Sequence, residues 1–329
     1  MQILEQPLVS SAADAGATRK TLRIAMLGMI PGNGHPFSWS AIINGYDAEA
    51  AESCPYPVIN AYLSRQPAGS VRIEGAAVTH LWTDEPSEAA AVARFARIPH
   101  VVARPEEVLG EVDAVMIATD DGDDHVSRAR PFVEAGIPVF IDKPMATNVP
   151  DLRTFIDWKN AGAKLLSSSG MRYAPELGRF GSFPWQWLTG VTCNTWKRYG
   201  IHVLEPAYCL TGPGYVTVRA SAQGQNVYVE LLHQSGRVIT LSVLPDAKAA
   251  FGCFHAYGEG GELAVRFSDT YSAFRGQLLS FVDFALTGRA PHGFEETVEL
   301  MTIVIAAEES LRRDGARIDL TQYRKEIDV

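Results

Sequence analysis

The sequence predicts an α/β protein: an N-terminal parallel sheet flanked by helices, then an α+β region with a mostly antiparallel open sheet. Three observations carry this. Ala114 to Ala118 (AVMIA) and Ile137 to Ile141 (IPVFI) are apolar runs suited to strands buried on both faces. Between them, Val126 to Ala135 places apolar residues at Val126, Ala129, Phe132 and Val133 and stops at Gly136, as a glycine-capped helix does. Beyond Gly190 the pattern changes to short alternating segments separated by turn residues, which implies antiparallel pairing.

The strand–helix–strand unit from Asp113 to Thr147 organises the rest. Both of its strands end in polar residues, Thr119 to His125 and Asp142-Lys143-Pro144. Ligands of open parallel sheets bind outside the carboxyl ends of the strands, so these residues mark one functional rim. Lys143, held in an extended turn before Pro144, could polarise or deprotonate a hydroxyl, or simply pair with Asp142. Asp120, Asp121, Asp123, Asp124 and His125 form the densest acidic cluster. Their spacing is not that of a calcium loop, and a capped turn with cofactor contacts is the preferred reading over a metal.

Upstream, Leu22 to Gly28 is a buried strand that runs into a glycine-rich turn, Met29 to His35. Glycines here let a backbone approach a pyrophosphate at a helix N-terminus, although Gly28, Gly32 and Gly34 do not follow the usual G-x-G-x-x-G spacing. Pro36 to Tyr46 reads as a helix, and Asp47 to Gly75 as an insertion with a short helix from Val58 to Arg65. Ala76 to Trp82 is the second strand. Asp84 beyond it either takes adenosine ribose hydroxyls or caps the helix Ser87 to Ala96. Ile98 to Val102 and Lys164 to Ser169 complete the strands, with a helix Val149 to Ala161 before the latter. Arg172 and Tyr173 then cross towards the second half, as substrate contacts or as packing.

In that half the expected strands are 190–197, 215–222, 226–233, 237–243, 252–257 and 261–267, with hairpin turns at Gln234-Ser235-Gly236 and Glu259-Gly260-Gly261. A helix opening near Tyr199 puts His202 and Glu205 on one face. His202 could relay a proton or be a structural histidine. Gly276 to Thr287 and Phe294 to Arg313 read as helices that pack back on the earlier parts.

With 329 residues, two domains are expected: a loose arm over 1–20, a dinucleotide-binding unit over 21–170 and a substrate-binding and oligomerisation unit over 171–329. The net charge of −9 argues against nucleic acid, and no apolar window is long enough to span a membrane. The arm does not read as a signal peptide, and Cys54, Cys193, Cys209 and Cys253 are scattered, as reduced thiols of a cytoplasmic protein are.

The threonine turn, AG-x-x-V (Ala135, Gly136, Val139), Asp142-Lys143-Pro144 and Gly200-x-His202-x-x-Glu205 together resemble the Gfo/Idh/MocA oxidoreductases, relatives of glucose–fructose oxidoreductase and inositol dehydrogenase. The resemblance runs from Leu22 to Leu320. It implies a Rossmann-type first domain, NAD in preference to NADP, and hydride transfer to or from a sugar, polyol or related hydroxyl compound. In its terms Lys143 and His202 are catalytic. Gly28, Gly32, Gly34, His35, Asp84, Thr119, Asp120, Asp121, His125, Asp142 and Lys143 face the cofactor, and Arg172, Tyr173, Arg198 and Glu205 the substrate. No metal site is implied. A homodimer or homotetramer would form through the C-terminal sheet. The chain departs from the pattern at Asp120, where a proline is usual, and at Arg198, where an aspartate is usual. The altered glycine turn and Arg198 motivate an alternative: a lyase, hydrolase or epimerase on the same fold, with a cofactor-binding sensor as a further one.

Overall fold

The computed structural model describes residues 21–181 and 183–329; the expected arm over 1–20 lies outside the described residues. In the first half, β1 (Leu22–Leu27), α1 (His35–Asn44), α2 (Pro57–Leu63), β2 (Ala76–Trp82), α3 (Pro86–Phe95), β3 (His100–Val101), β4 (Ala114–Ile117), α4 (His125–Glu134), β5 (Val139–Ile141), α5 (Val149–Asn160) and β6 (Leu165–Leu166) follow one another. The six strands form one parallel sheet in the order β3-β2-β1-β4-β5-β6. β1 and β4 are neighbours although the two strands of the sheet's other wing, β2 and β3, separate them in sequence. That reversal opens a crevice at their carboxyl ends. β4 and β5 are buried throughout, which is why they read as continuous apolar runs rather than alternating ones.

The second half runs β7 (Trp187–Thr192), α6 (Trp196–Tyr199), α7 (Ile201–Thr211), β8 (Tyr215–Gln223), β9 (Asn226–His233), β10 (Val238–Val243), β11 (Cys253–Gly258), β12 (Gly261–Arg266), α8 (Thr270–Thr287), α9 (Phe294–Arg312), β13 (Ile318–Asp319) and α10 (Leu320–Glu326). Its seven-stranded sheet has the order β12-β11-β7-β10-β9-β8-β13. The pairings are antiparallel except that of β7 with β10, which is parallel. The sequence had suggested antiparallel neighbours only; α6 and α7 provide the crossover that parallel pairing needs. The strand expected over 190–197 lies three residues earlier. Thr195 looks like a β-branched strand residue but accepts a hydrogen bond from the Arg198 amide and caps α6.

Two cores hold these layers together. One face of the parallel sheet (Ile24, Met26, Met116, Phe140) packs on α1 and α3 and also on Leu278 and Phe281 of α8. The opposite face (Leu27, Ile117, Ile141) packs on α4 and α5 and is continuous with the inner face of the second sheet (Leu188, Leu231, Leu241) and with α7 and α9. The outer face of the second sheet carries exposed Trp187, Tyr228 and Leu232. Among the described residues no helix is long and apolar enough to cross a membrane.

Phe281 is fully buried with its ring 5.5 Å from that of Phe140, so α8 is an integral wall of the first sheet. Phe281→Ala is expected to cost about 3–5 kcal/mol, read as a lowered midpoint in denaturant unfolding.

Candidate active site

Ile117 and Ile141 pair in register, so β4 and β5 end level and their polar turns share one rim. Lys143 is 2% exposed there. Its ammonium lies 3.5 Å from Asp120 Oδ2, 3.9 Å from Asp142 Oδ2 and 5.0 Å from the centroid of the Tyr199 ring. Of the two readings of Lys143, the pairing with Asp142 is present, with Asp120 as a second carboxylate. The other oxygen of Asp120 accepts a hydrogen bond from Arg198, and Lys197 pairs with Asp123, so α6 is fastened to the β4–α4 turn by two ion pairs. His35, at the start of α1, places Nδ1 2.7 Å from Asp142 Oδ2 and stacks on Trp39 with centroids 4.2 Å apart.

His202 also packs against Tyr199, their ring centroids 4.9 Å apart and their planes near-perpendicular. Its Nδ1 is 2.8 Å from Ser169 Oγ. The environments of the two groups push their proton affinities apart. Burial opposes the charge of Lys143, but Asp142 and Asp120 outweigh burial and raise its pKa above the ordinary 10.5. Burial, followed by the Lys143 ammonium and His35, holds His202 well below 6.5. For Asp120, burial is outweighed by Lys143 and Arg198, which keep its carboxyl well below the usual range. At neutral pH the rim thus carries a fixed cation and a neutral imidazole, both against the Tyr199 ring. The cavity beside His202, lined also by Gly170, Phe251 and Phe274, is about 50 Å³. That is room for only a few waters.

A second corner forms where β1, β2 and β4 end. Gly28 has φ +92°, and a Cβ there would lie 2.8 Å from Thr119 Cγ2, so only glycine lets the turn run this close to β4. Asp84 accepts a hydrogen bond from the Met29 amide at 2.9 Å and pairs with Arg128 at 2.6 Å, while Arg128 Nε also reaches Asp124 at 2.6 Å. Asp84 does not cap α3, whose N-cap is Glu85. Leu27, Trp82, Pro105, Ile117, Pro131 and Phe132 line an apolar slot of about 180 Å³ against the same guanidinium.

A dinucleotide fits this corner. Gly32 is exposed, has φ +85° and would point a Cβ into open space. No side chain of the N-cap residue Gly34 occupies the start of α1, and the helix has no acidic residue in its first turn. Asn33 Oδ1 accepts the His35 amide at 2.8 Å at the start of α1, so the exposed glycine turn is what favours a diphosphate, and the slot beside Arg128 suits a purine.

Other candidates have structural partners. His125 is fully buried, with its ring nitrogens 2.8 Å and 3.1 Å from the carbonyl oxygens of Thr119 and Met145. Asp121 accepts from the Asp123 amide, and Asp123 from Thr147 and Asn148, as turn chemistry requires. Arg172 is tied to Glu205 at 2.5 Å and to Glu296 at 2.9 Å, and Glu205 also receives the Ser169 amide. Tyr173 packs under α8 against Gly276. Of the groups expected to face substrate, Arg198 is the one tied to Asp120, the carboxylate beside Lys143. Arg128 and Tyr199 were not singled out. Arg128 follows Asp124 by one helical turn, a charge spacing that could have found it, whereas nothing in the sequence around Tyr199 signals its place against both Lys143 and His202.

A parallel sheet with a glycine turn, Asp84 and Lys143 on one rim, joined to a second half whose helix α7 carries His202, is the frame of a dinucleotide-binding type of architecture. Residues 57–167 match the model of the Gfo/Idh/MocA family, described as "Oxidoreductase family, NAD-binding Rossmann fold". The resemblance carried by Asp142-Lys143-Pro144 is borne out over that stretch, which begins after the divergent glycine turn. Three solved structures share the fold. A putative myo-inositol dehydrogenase from Sinorhizobium meliloti is 16% identical with a TM-score of 0.66, covering 91% of this chain and 100% of its own. Scyllo-inositol dehydrogenase from Lactobacillus casei, solved with NAD(H) and scyllo-inositol, is 14% identical with a TM-score of 0.67, covering 92% and 100%. Myo-inositol 2-dehydrogenase from Lactobacillus plantarum is 13% identical with a TM-score of 0.70, covering 91% and 99%. Comparison with curated proteins finds no match.

Removing one partner of a buried ion pair strands the other charge. Arg172→Leu is therefore expected to lower stability by about 3–5 kcal/mol, measured by denaturant unfolding, rather than to act through substrate affinity.

Proposed function

We propose that this protein is an NAD-dependent dehydrogenase that interconverts a secondary hydroxyl and a carbonyl on a polyol or sugar. The observation that carries the reading is the pairing of a buried cationic Lys143 with a neutral His202, both against Tyr199, on the rim that also holds the glycine turn. When bound, the nicotinamide supplies the hydride acceptor or donor. Lys143 donates a hydrogen bond to the reacting oxygen and stabilises its negative charge as the hydroxyl proton departs. His202 takes that proton, and in the reverse direction returns it; Ser169 beside Nδ1 fixes the ring. Two groups whose environments drive them to opposite charge states divide acid and base roles between them.

Gly28, Gly32 and the start of α1 would hold the diphosphate, and Asp84 the adenosine ribose. Because Asp84 is already bound to Arg128 and Met29, its hold on the ribose comes with a preset orientation. The ribose acid and its neighbour Asp124 leave this corner net negative, which supports NAD over NADP. A polyol is the favoured substrate because the inositol dehydrogenases share the whole fold, and Arg198 sits at the mouth of the pocket to receive an oxygen-rich ligand. The exposed face of the second sheet, with Trp187, Tyr228 and Leu232, would dock a second copy of the chain.

Three outcomes follow. A screen of myo-inositol, other polyols and aldoses with NAD should reveal turnover; Lys143→Ala should lower kcat roughly 10³-fold while NAD still binds, as followed by tryptophan fluorescence. If His202 is the base, kcat/KM for oxidation stays level as pH falls through 6.5 and drops only in more acid solution, because the imidazole protonates only there. A pH profile checks this. Sedimentation analysis should give a particle larger than the 35.8 kDa chain, and Trp187→Glu should shift it towards monomer.

A further inference from the structure

Arg128 stands in the nucleotide corner with no task so far beyond orienting Asp84. Its guanidinium lies between two carboxylates, one after β2 and one at the start of α4. Nη2 is 2.6 Å from Asp84 Oδ1, Nη1 is 3.3 Å from Asp84 Oδ2, and Nε is 2.6 Å from Asp124 Oδ2. Cζ is 5.7 Å from the centroid of the Trp82 ring, and a Cβ on Gly28 would come within 3.3 Å of Nη1. The cation is therefore placed where the glycine turn, the acid after β2 and the apolar slot meet. A planar fork of this kind suits a phosphate, and dinucleotide folds that take NADP meet its 2′-phosphate with a nearby arginine. We propose that Arg128 is the specificity-determining residue of the nucleotide site, a 2′-phosphate receptor kept occupied by Asp84. Asp84 then turns NADP away by holding that cation as well as by its own charge. The inference rests on the dinucleotide reading and adds to it the residue that sets the choice between the two cofactors.

The two carboxylates do different work. Asp124 precedes Arg128 by one helical turn and takes only Nε, while its other oxygen accepts Thr119 Oγ1 at 3.0 Å. It fixes where the guanidinium stands. Asp84 takes the terminal pair, Nη1 and Nη2, which are the donors a phosphate would need, and is itself held by the Met29 amide at 2.9 Å. Removing the charge of Asp84 frees those two nitrogens and leaves Nε anchored. Removing Arg128 instead leaves both carboxylates without their counter-charge, and the corner repels a phosphate more strongly. Masking also predicts that the two substitutions do not add. If Asp84 excluded NADP by its own charge alone, the gain from neutralising it would be the same whether or not Arg128 were present. If it masks Arg128, the gain needs the arginine.

The test reads binding rather than turnover. Isothermal titration calorimetry of the full chain with NAD and with NADP gives the ratio of the two Kd values, NADP over NAD, and the unmutated protein should favour NAD. Asp84→Asn keeps an oxygen to accept the Met29 amide and should lower the ratio roughly tenfold or more. Arg128→Gln keeps a donor for Asp124 and should not lower it. In the double variant the gain from Asp84→Asn should shrink to less than about threefold. Arg128→Met, with an apolar stem over Trp82, repeats the double variant by a different route, so the result does not hang on one substitution folding. An equal fall of the ratio with and without Arg128 shows Asp84 acting by charge alone and overturns the proposal, as does an unmutated protein that prefers NADP. Failure of the unmutated protein to bind NAD at all removes the dinucleotide reading and this inference with it. NAD binding with equal gains in the two backgrounds removes only the role of Arg128.

Discussion

An ammonium taken out of water has to be paired, and the pairing of Lys143 determines how the two halves of this chain meet. Desolvating such a charge costs several kcal/mol unless carboxylates surround it with good geometry. Asp142 comes from the lysine's own strand end and Asp120 from the neighbouring one, so the parallel register of β4 and β5 sets their spacing. Asp120 is in turn held by Arg198 of α6. The lysine's charge, the registry of one sheet and the seating of the second half's short helix are thus a single constraint. The proline-to-Asp120 and aspartate-to-Arg198 departures from the family pattern make sense together, because each supplies the other's counter-charge.

The cofactor corner is built on the same logic but kept apart from the chemistry. Asp84, Arg128 and Asp124 link the turn after β1, the end of β2 and the first turn of α4. With Thr119 Oγ1 donating to Asp124 at 3.0 Å, the arrangement reaches the rim without touching Lys143.

Local signals were read well from the chain, and long-range ones were not. The strand Ala76–Trp82 and the strand Asn226–His233 lie where alternation and turn residues put them, because both signals are carried within a few residues. The Asp142-Lys143-Pro144 turn was legible for the same reason. Gly276 was taken to open a helix that in fact begins at Thr270, capped by Asp269. The glycine is there because Tyr173, a hundred residues earlier in the chain, needs the space a Cβ would fill. Arg172 and Glu205 looked like cleft residues since each stands beside a cleft motif, yet their charges find each other and Glu296 in the interior. Such pairings depend on how the sheets dock, which spacing along the chain does not encode.

The return of α8 to the first sheet has a consequence for how the molecule comes into being. Leu278 and Phe281 complete a wall whose earlier parts are made by residue 166, so the nascent parallel sheet leaves the ribosome with an open apolar side. That side stays uncovered through synthesis of all the strands from β7 to β12. The dinucleotide half therefore cannot mature ahead of its partner, and a chaperone that shields it during elongation would act on this face.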